Sequence, residues 1–416
     1  MAAANESEVV ALELERVIPH YRTLFDRDQR FWGTVKKKNV EKVSNRQMRV
    51  PLEINPGGSF QYFNPDGGDL GRGSAQQYDK AVLQPVFMSQ NIEYTKLAQW
   101  ATDSDRKSIV NAVREYSAKA FDELGRQLDA NIMGSGNGVL ATVTSVSTTA
   151  GVDTYTCTTD GFGARLVRDQ QMIQLYDTTL ATLRGSSQVT QVDVINKTIS
   201  VTPAIAGATG TDKVVVYGIS APSSLPALFG VAYHDSNAST GTWLGFNRAN
   251  TPQIRATGIN ASSASFTLPL ARLAINQIGN RIGIDHDFEP SAWMHPAQKQ
   301  AYEQIGQVVS VIHKEAKEEG LNMYFDKMQM AGATVRESYN WDNTRIDFIN
   351  ESIWGRGEIL PLGFYTTDGR KTFELRGPSG GILTADIFYL VIGTQTFVNN
   401  PAAISYIYNL AVPSGY

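Results

Sequence analysis

Residues 55–79 read NPGGSFQYFNPDGGDLGRGSAQQYD. The stretch holds six glycines, two Asn-Pro steps and two Gly-Gly pairs, with no evident catalytic group. Before it, RQMRVPLEI (46–54) alternates Met48, Val50, Leu52 and Ile54 with polar residues, the pattern of a strand with one buried face. After it, KAVLQPVFMSQNIEYT (80–95) reads as a returning strand, with Pro85 marking an edge or bulge. Strands of about 15 residues at ~3.3 Å per residue give a ribbon of roughly 50 Å. An isolated two-stranded hairpin is marginal in water, and the sequence shows no local sheet to receive this one. The ribbon is therefore expected to be an arm whose partner is another copy of the chain.

Outward from the ribbon, residues 1–35 mix helical patterning (Val9, Leu12, Val17, Tyr21, Leu24, Phe25) with charge, and Pro19 breaks the pattern. The opening MAAANESEVVALELERV has no basic segment followed by an apolar one, so it reads as the start of a helix and not as a signal peptide. KKKNVEKVSNR (36–46) is either a solvated linker or an arm across a neighbour's acidic face, and charge alone does not separate the two. On the other side, residues 103–133 are the clearest helix. Ile109, Val113, Tyr116, Ala120, Leu124, Leu128 and Ile132 recur at steps of three or four, Asp103 or Ser104 can cap the start, and Gly134 stops it. At ~1.5 Å per residue this is a strut of roughly 45 Å.

After Gly138 the composition turns to Thr, Val, Ser and Gly. Closely spaced strand candidates (VDTYTCTT, ARLVRDQQMIQLYD, QVTQVDVI, KTISVTP, DKVVVYG) predict a small all-β module over 139–220, a sandwich or a barrel. Further on, 266–283 and 297–319 are helical and SAWMHP (291–296) is a short buried strand. VRESYNWDNTRIDFINESIWGR (335–356) alternates like two strands around Asn340–Asn343. The end of the chain gives two long strands broken at GPSGG.

The totals set limits. A chain of 416 residues allows two to three domains or one elongated fold with insertions. Hydrophobic content of 42% supports a real core, and no apolar run reaches the ~20 residues of a spanning helix. The net charge of −4 argues against binding nucleic acid by phosphate neutralisation, though not against a container facing it. The lone Cys157 rules out an internal disulfide and reads as a packed thiol. The five histidines are scattered, and no Walker loop, zinc cluster, H-E-x-x-H or G-x-S-x-G is present. GSGNG (134–138) follows a helix, not a strand, so it reads as a helix stop and turn. The cluster Asp285, His286, Asp287 and Glu289 near His295 matches no metal-binding spacing and reads as a solvated acidic turn. No catalytic, cofactor or metal site is expected.

The order of these elements resembles the major capsid proteins of tailed bacteriophages, the Hong Kong 97-like fold. RQMRVPLEINPGGSF through VFMSQNIEYT resembles that family's extended loop, and 103–133 its spine helix. GATVRESYNWDNTRIDFINESIWGR resembles its axial-domain hairpin, and ADIFYLVIGTQTFVNNPAAISYI its closing peripheral strands. The resemblance implies an α+β fold: N-terminal arm (1–45), extended loop hairpin (46–95), spine helix of the peripheral domain (96–138), inserted β-rich module (139–220), axial domain with peripheral segments (221–370) and closing peripheral strands (371–416). It implies a structural, non-enzymatic protein that self-assembles into hexamers and pentamers of an icosahedral head around double-stranded DNA. That DNA would be bound without sequence specificity and no membrane would be involved. Assembly would take place in the host bacterial cytoplasm, with a portal, a separate scaffolding protein and possible decoration proteins as partners.

Inter-subunit contacts would come from Phe60, Tyr62, Phe63, Asp69, Arg72, Asp79 and Lys80, the charged members serving equally well to keep a loop soluble. Some relatives join an extended-loop Lys to a neighbour's Asn. Lys80 and Asn399 or Asn400 are the matching residues here, but with no catalytic acid to place, noncovalent joining is expected. Two alternatives are an encapsulin-type nanocompartment shell and, from another class, a glycan-binding protein or hydrolase built on the β-rich middle.

Overall fold

The computed structural model describes residues 30–55, 57–60, 62, 66, 69, 71–95, 120–283, 288–310, 329–367, 370–377, 381–413 and 415. The expectations for residues 1–29, for 103–119 of the long helix, for Phe63, for Asp285, His286 and Asp287, and for 311–319 lie outside these residues.

A short helix, Arg30–Thr34, precedes β1 (Lys36–Lys37), β2 (Glu41–Ser44), β3 (Gln47–Asn55), β4 (Gln77–Leu83) and β5 (Val86–Thr95). A helix over residues 120–131 leads into β6 (Val139–Thr149), β7 (Val152–Cys157), β8 (Met172–Tyr176), β9 (Leu183–Asp193), β10 (Thr198–Thr202) and β11 (Lys213–Val216). After the single turn Val231–His234 come β12 (Thr242–Trp243), β13 (Phe246–Asn247) and β14 (Thr257–Asn260). The helix Leu268–Ile282, β15 (Ser291–Met294) and the helix Pro296–Ser310 follow. The chain ends with β16 (Gln329–Met330), β17 (Ala333–Glu337), β18 (Ile346–Ile349), β19 (Trp354–Phe364), β20 (Phe373–Arg376), β21 (Ile382–Val398) and β22 (Ser405–Tyr408). Two compact units result: Met1–Trp32 with Pro85–Asp129 and Glu358–Thr394, and Gly33–Gln84 with Ala130–Gly357 and Gln395–Tyr416.

In the first unit, β5 pairs antiparallel with β21 over ten residues, from Val86 opposite Thr394 to Thr95 opposite Ala385. This corrects the expected hairpin. The returning strand splits at Gln84–Pro85: only β4 runs back along β3, and β5 joins another sheet. Proline has no backbone N–H to extend a ladder, and the apolar β21 offers a partner long enough to take all of β5. On one face of this sheet Phe121 of the helix meets Phe364 at 5.4 Å between ring centroids, and Phe364 meets Phe388 at 5.8 Å. Elsewhere in the unit Tyr365, Phe373 and Tyr389 form a row at 5.8 and 6.0 Å. Gly393 is required by crowding: a Cβ there would lie 2.7 Å from the Phe87 ring and 3.0 Å from Leu360 Cβ. The buried Asp129 carboxylate accepts the Trp32 backbone N–H at 2.8 Å and ties the end of the helix to Arg30–Thr34.

The second unit holds the β-rich module, which is a closed barrel in the order β10-β7-β6-β11-β8-β9. Alternate residues of its strands point inward, and Tyr155, Ile173, Leu175, Val189, Ile199 and Val201 are fully buried. Closure removes the free edges that six short Thr/Val strands would otherwise expose. A mixed sheet in the order β14-β22-β18-β15-β17-β16 carries a hydrophobic core. Ala271, Ala274, Ile275 and Ile278 of the helix Leu268–Ile282 pack with Ala292, Met294, Ile346, Phe348 and Ile407 of the strands.

Four expectations change here. The strands β17 and β18 exist, but they are not a hairpin, because β15 lies between them, parallel to β17 and antiparallel to β18. Three consecutive buried residues, Ala292–Met294, suit a strand covered on both faces and paired on both edges. KKKNVEKVSNR is no linker: β1 runs parallel to β19 and β2 pairs with β3. β2 also gives β3 and β4 a third strand that the sequence did not show. The chain's end has one long strand, β21, with the four-residue strands β20 and β22 on either side of it in sequence.

Candidate functional site

The ribbon changes character along its length. At its base Met48 opposes Leu83 and Val50 opposes Ala81, and all four side chains are buried. The base is docked: Val82 N–H donates to the Leu244 carbonyl at 2.9 Å, and a Cβ on Gly357 would come within 2.9 Å of Met48 Sδ. Leu52 and Ile54 are half-buried and line a cleft of about 70 Å³ with Trp243, Phe246, Asn399 and Pro401. That volume suits a few water molecules and falls well short of a typical small-molecule pocket, ~300 Å³ or more.

Beyond Ala81 the ribbon leaves the body. Residues 71–80 are all exposed. Among the described residues the last cross-strand link is the bridge of Gly58 with Ser74, whose N–H···O bond measures 2.8 Å. Here glycine serves close approach. A Cβ at Gly57 (φ +69°) would sit 2.7 Å from the backbone of Ser74–Gln76, and one at Gly73 would sit 2.9 Å from Gly58 Cα.

Phe60 and Tyr62 stand 87% and 92% exposed with their rings edge to face, 5.5 Å apart. Asp69 accepts the Gly71 N–H at 3.0 Å, a local turn contact, and Asp79 accepts the N–H of Lys80 at 2.7 Å. Arg72 and Lys80 are exposed. The structure therefore brings Phe60 and Tyr62 together and gives Asp69 and Asp79 local backbone contacts. Sequence reasoning missed Tyr78, 64% exposed on β4, whose hydroxyl donates to Gln76 Oε1 at 2.9 Å. Its signal was position: it sits two residues from the exposed Lys80 on the outer, polar half of the strand. Chemically the exposed ribbon offers aromatic rings and open backbone, an adhesive surface.

Several titratable groups elsewhere are buried in the fold. The Cys157 thiol is buried and pushed up to about 12 by that burial. In the barrel, Asp153 accepts from Thr148 Oγ1 (2.5 Å), Ile205 N (2.7 Å) and Tyr155 Oη (3.2 Å), and Asp212 caps Thr209. Burial, with Arg248 nearby, lowers His234 to about 3. Its Nδ1 accepts from Trp243 Nε1 at 3.1 Å, and its Nε2 meets Thr396 Oγ1 at 3.2 Å. The Thr396 hydroxyl donates to the Phe229 carbonyl, which leaves His234 as the neutral Nε2–H tautomer. Burial, with Arg165 second, also lowers His295 to about 3, and its Nδ1 accepts the Ala297 N–H at 3.1 Å. Among the described residues no three His, Cys, Asp or Glu side chains are grouped to hold a metal ion.

No family model matches the chain, and no curated protein matches its sequence. Solved structures do. The chain of the cyanophage A-1(L) capsid asymmetric unit aligns with a TM-score of 0.55 at 10% identity, covering 95% of this chain and 96% of that one. A chain of the cyanophage P-SCSP1u capsid aligns at 0.46 and 10% identity, covering 96% and 94%. A chain of the holo-SrpI encapsulin complex from Synechococcus elongatus PCC 7942 aligns at 0.44 and 8% identity, covering 100% and 98%. The fold assignment rests on the first of these: from end to end, this sheet-rich chain has the fold of the cyanophage A-1(L) capsid chain.

Proposed function

We propose that this chain is a major capsid protein of the Hong Kong 97-like kind, a structural subunit that self-assembles into hexamers and pentamers of an icosahedral phage head around double-stranded DNA. The observation that carries this reading is the ribbon, anchored at its base and exposed beyond Ala81, on a chain with the fold of a phage capsid subunit. A strand pair that finds no cover on its own body is completed by a neighbour, and a head-to-tail contact repeated around a ring closes it.

In this reading the ribbon is the extended loop and the helix ending at residue 131 is the end of the spine helix. The barrel is a module inserted at 139–220 on the outer surface of the shell. Phe60 and Tyr62, with Phe63, are the anchors, because aromatic side chains dominate interface energetics. Asp69, Arg72, Asp79 and Lys80 add contacts of ~0–1 kcal/mol each, so the many copies of a weak contact hold the shell. Joining is noncovalent. Portal, scaffolding and decoration proteins are the further partners, and the shell forms in the host cytoplasm.

Deletion of residues 57–74 tests this. The truncated chain should keep its far-ultraviolet circular dichroism and fail to form closed shells. Closed shells of normal size from that variant would refute the arm. The content of purified particles, DNA or a protein cargo, separates a phage head from an encapsulin.

A further inference from the structure

Asp235 follows the single helical turn Val231–His234 and is fully buried, yet neither of its carboxylate oxygens has a hydrogen-bond partner. The nearest cation is committed elsewhere. Arg345 Nε donates to both oxygens of Asp347 at 2.7 and 2.9 Å, and its terminal nitrogen, 2.5 Å from Asp347 Oδ1 and 4.0 Å from Asp235 Oδ2, has hydrogen-bond geometry to neither. Asp347 also accepts from Trp341 Nε1 at 2.8 Å, and the Tyr406 ring covers the guanidinium at 4.0 Å.

The surrounding groups do not help. On the same turn, Tyr233 and His234 are uncharged, and His234 is already held neutral by its partners. Arg248 donates to the backbone carbonyls of Ser236 and Tyr233. On the loop before β18, Asp342 adds a further negative charge near Asp347. Two carboxylates therefore face one guanidinium, and the geometry gives it to Asp347. A second buried anion without a partner costs several kcal/mol, far more than the neutral acid. Burial first, and the Asp347 charge second, hold the Asp235 carboxyl well above the ordinary carboxylate range.

We propose that the folded chain carries Asp235 as the neutral carboxylic acid, buried beside the Arg345–Asp347 pair, so that one proton is part of what the folded state holds. When the proton passes to solvent, two buried carboxylates share one guanidinium, which costs the folded state stability. No covalent bond changes. The unfolded chain releases this proton near pH ~3.9, as an ordinary Asp does. Above that, the stability contributed by Asp235 falls as pH rises, until the folded chain loses the proton as well.

The test uses the full-length chain and its Asp235→Asn variant, whose amide replaces the neutral acid at nearly the same shape. Denaturant unfolding of both from pH 4.5 to 9 gives the ratio of their folding equilibria, in which contributions from groups remote from Asp235 cancel. Wild type should lose ground to Asp235→Asn by about tenfold per pH unit across the window in which only the folded state holds the proton. Infrared difference spectra at pH 6 should show a carboxylic C=O band in wild type that is missing in Asp235→Asn. Parallel pH profiles together with no difference band would overturn the proposal, even if the variant were less stable at every pH.

Discussion

Asn343 joins the barrel to the main sheet through one side chain, and its replacement by alanine has a calculable cost. The residue is fully buried in the turn before β18. Its Oδ1 accepts the Gly161 N–H at 2.7 Å and its Nδ2 donates to the Thr159 carbonyl at 3.1 Å, both on the loop after β7. Its backbone adds two contacts that alanine would keep: its N–H donates to the Gly161 carbonyl at 3.3 Å, and its carbonyl accepts from Gln298 Nε2 at 2.8 Å. Asn343→Ala therefore removes two hydrogen bonds and strands the half-buried Gly161 N–H, which costs ~1–3 kcal/mol. Thr159 is exposed, so water takes up its carbonyl and that loss is ~1 kcal/mol or less. The sum is about 1–4 kcal/mol. Urea unfolding measures it, and hydrogen exchange locates it: protection should fall at 159–165 while Ile199 and Val201 inside the barrel keep theirs. A change under ~0.5 kcal/mol with protection intact at Gly161 would refute the assigned role.

Three other outcomes are expected. Gly393→Val should destabilise the chain by ~1–3 kcal/mol through overpacking against Phe87 and Leu360, and adding Phe87→Ala should restore part of the loss in a double-mutant cycle. His234 and His295 titrate near 6.5 when unfolded and about 3 when folded, so the unfolded chain takes up their protons first. Stability supplied by each should fall as pH drops from 6.5 towards 3, by ~2 kcal/mol per histidine at pH 5, and His234→Gln should abolish one share of that slope in urea midpoints. Phe60→Ser with Tyr62→Ser should leave the subunit's unfolding midpoint within ~0.5 kcal/mol, since both rings are exposed, while reducing the yield of assembled particles in sedimentation.

The sequence carried local facts well. The helix Leu268–Ile282, the strand Ser291–Met294, five of the six barrel strands (all but β6) and the buried Met48–Val50 edge were legible, because hydrophobic periodicity and turn residues act over a few positions. What it hid was pairing. β5 and β21 lie about 300 residues apart, and no local pattern says which strand Val86–Thr95 will join. The same holds for β15, which separates β17 from β18 although it precedes them by some 40 and 50 residues. At the candidate site, the exposed aromatics Phe60 and Tyr62 were legible as residue types in a polar loop, whereas Tyr78, at the end of the same glycine-rich stretch, was not singled out and lies on β4. His234 and Asp235 gave no sign of their burial, since their isolation from water is made by Trp243, Arg345, Asp347 and Thr396, all distant in sequence or brought in by the fold.

The particle that the purified full-length chain forms bears most directly on the account. Sedimentation velocity with negative-stain microscopy of the same sample should show closed shells or ring-shaped capsomers, with free chains a minor species. A homogeneous monomer at micromolar concentration, with the ribbon residues 71–80 protected from hydrogen exchange on their own body, would contradict it.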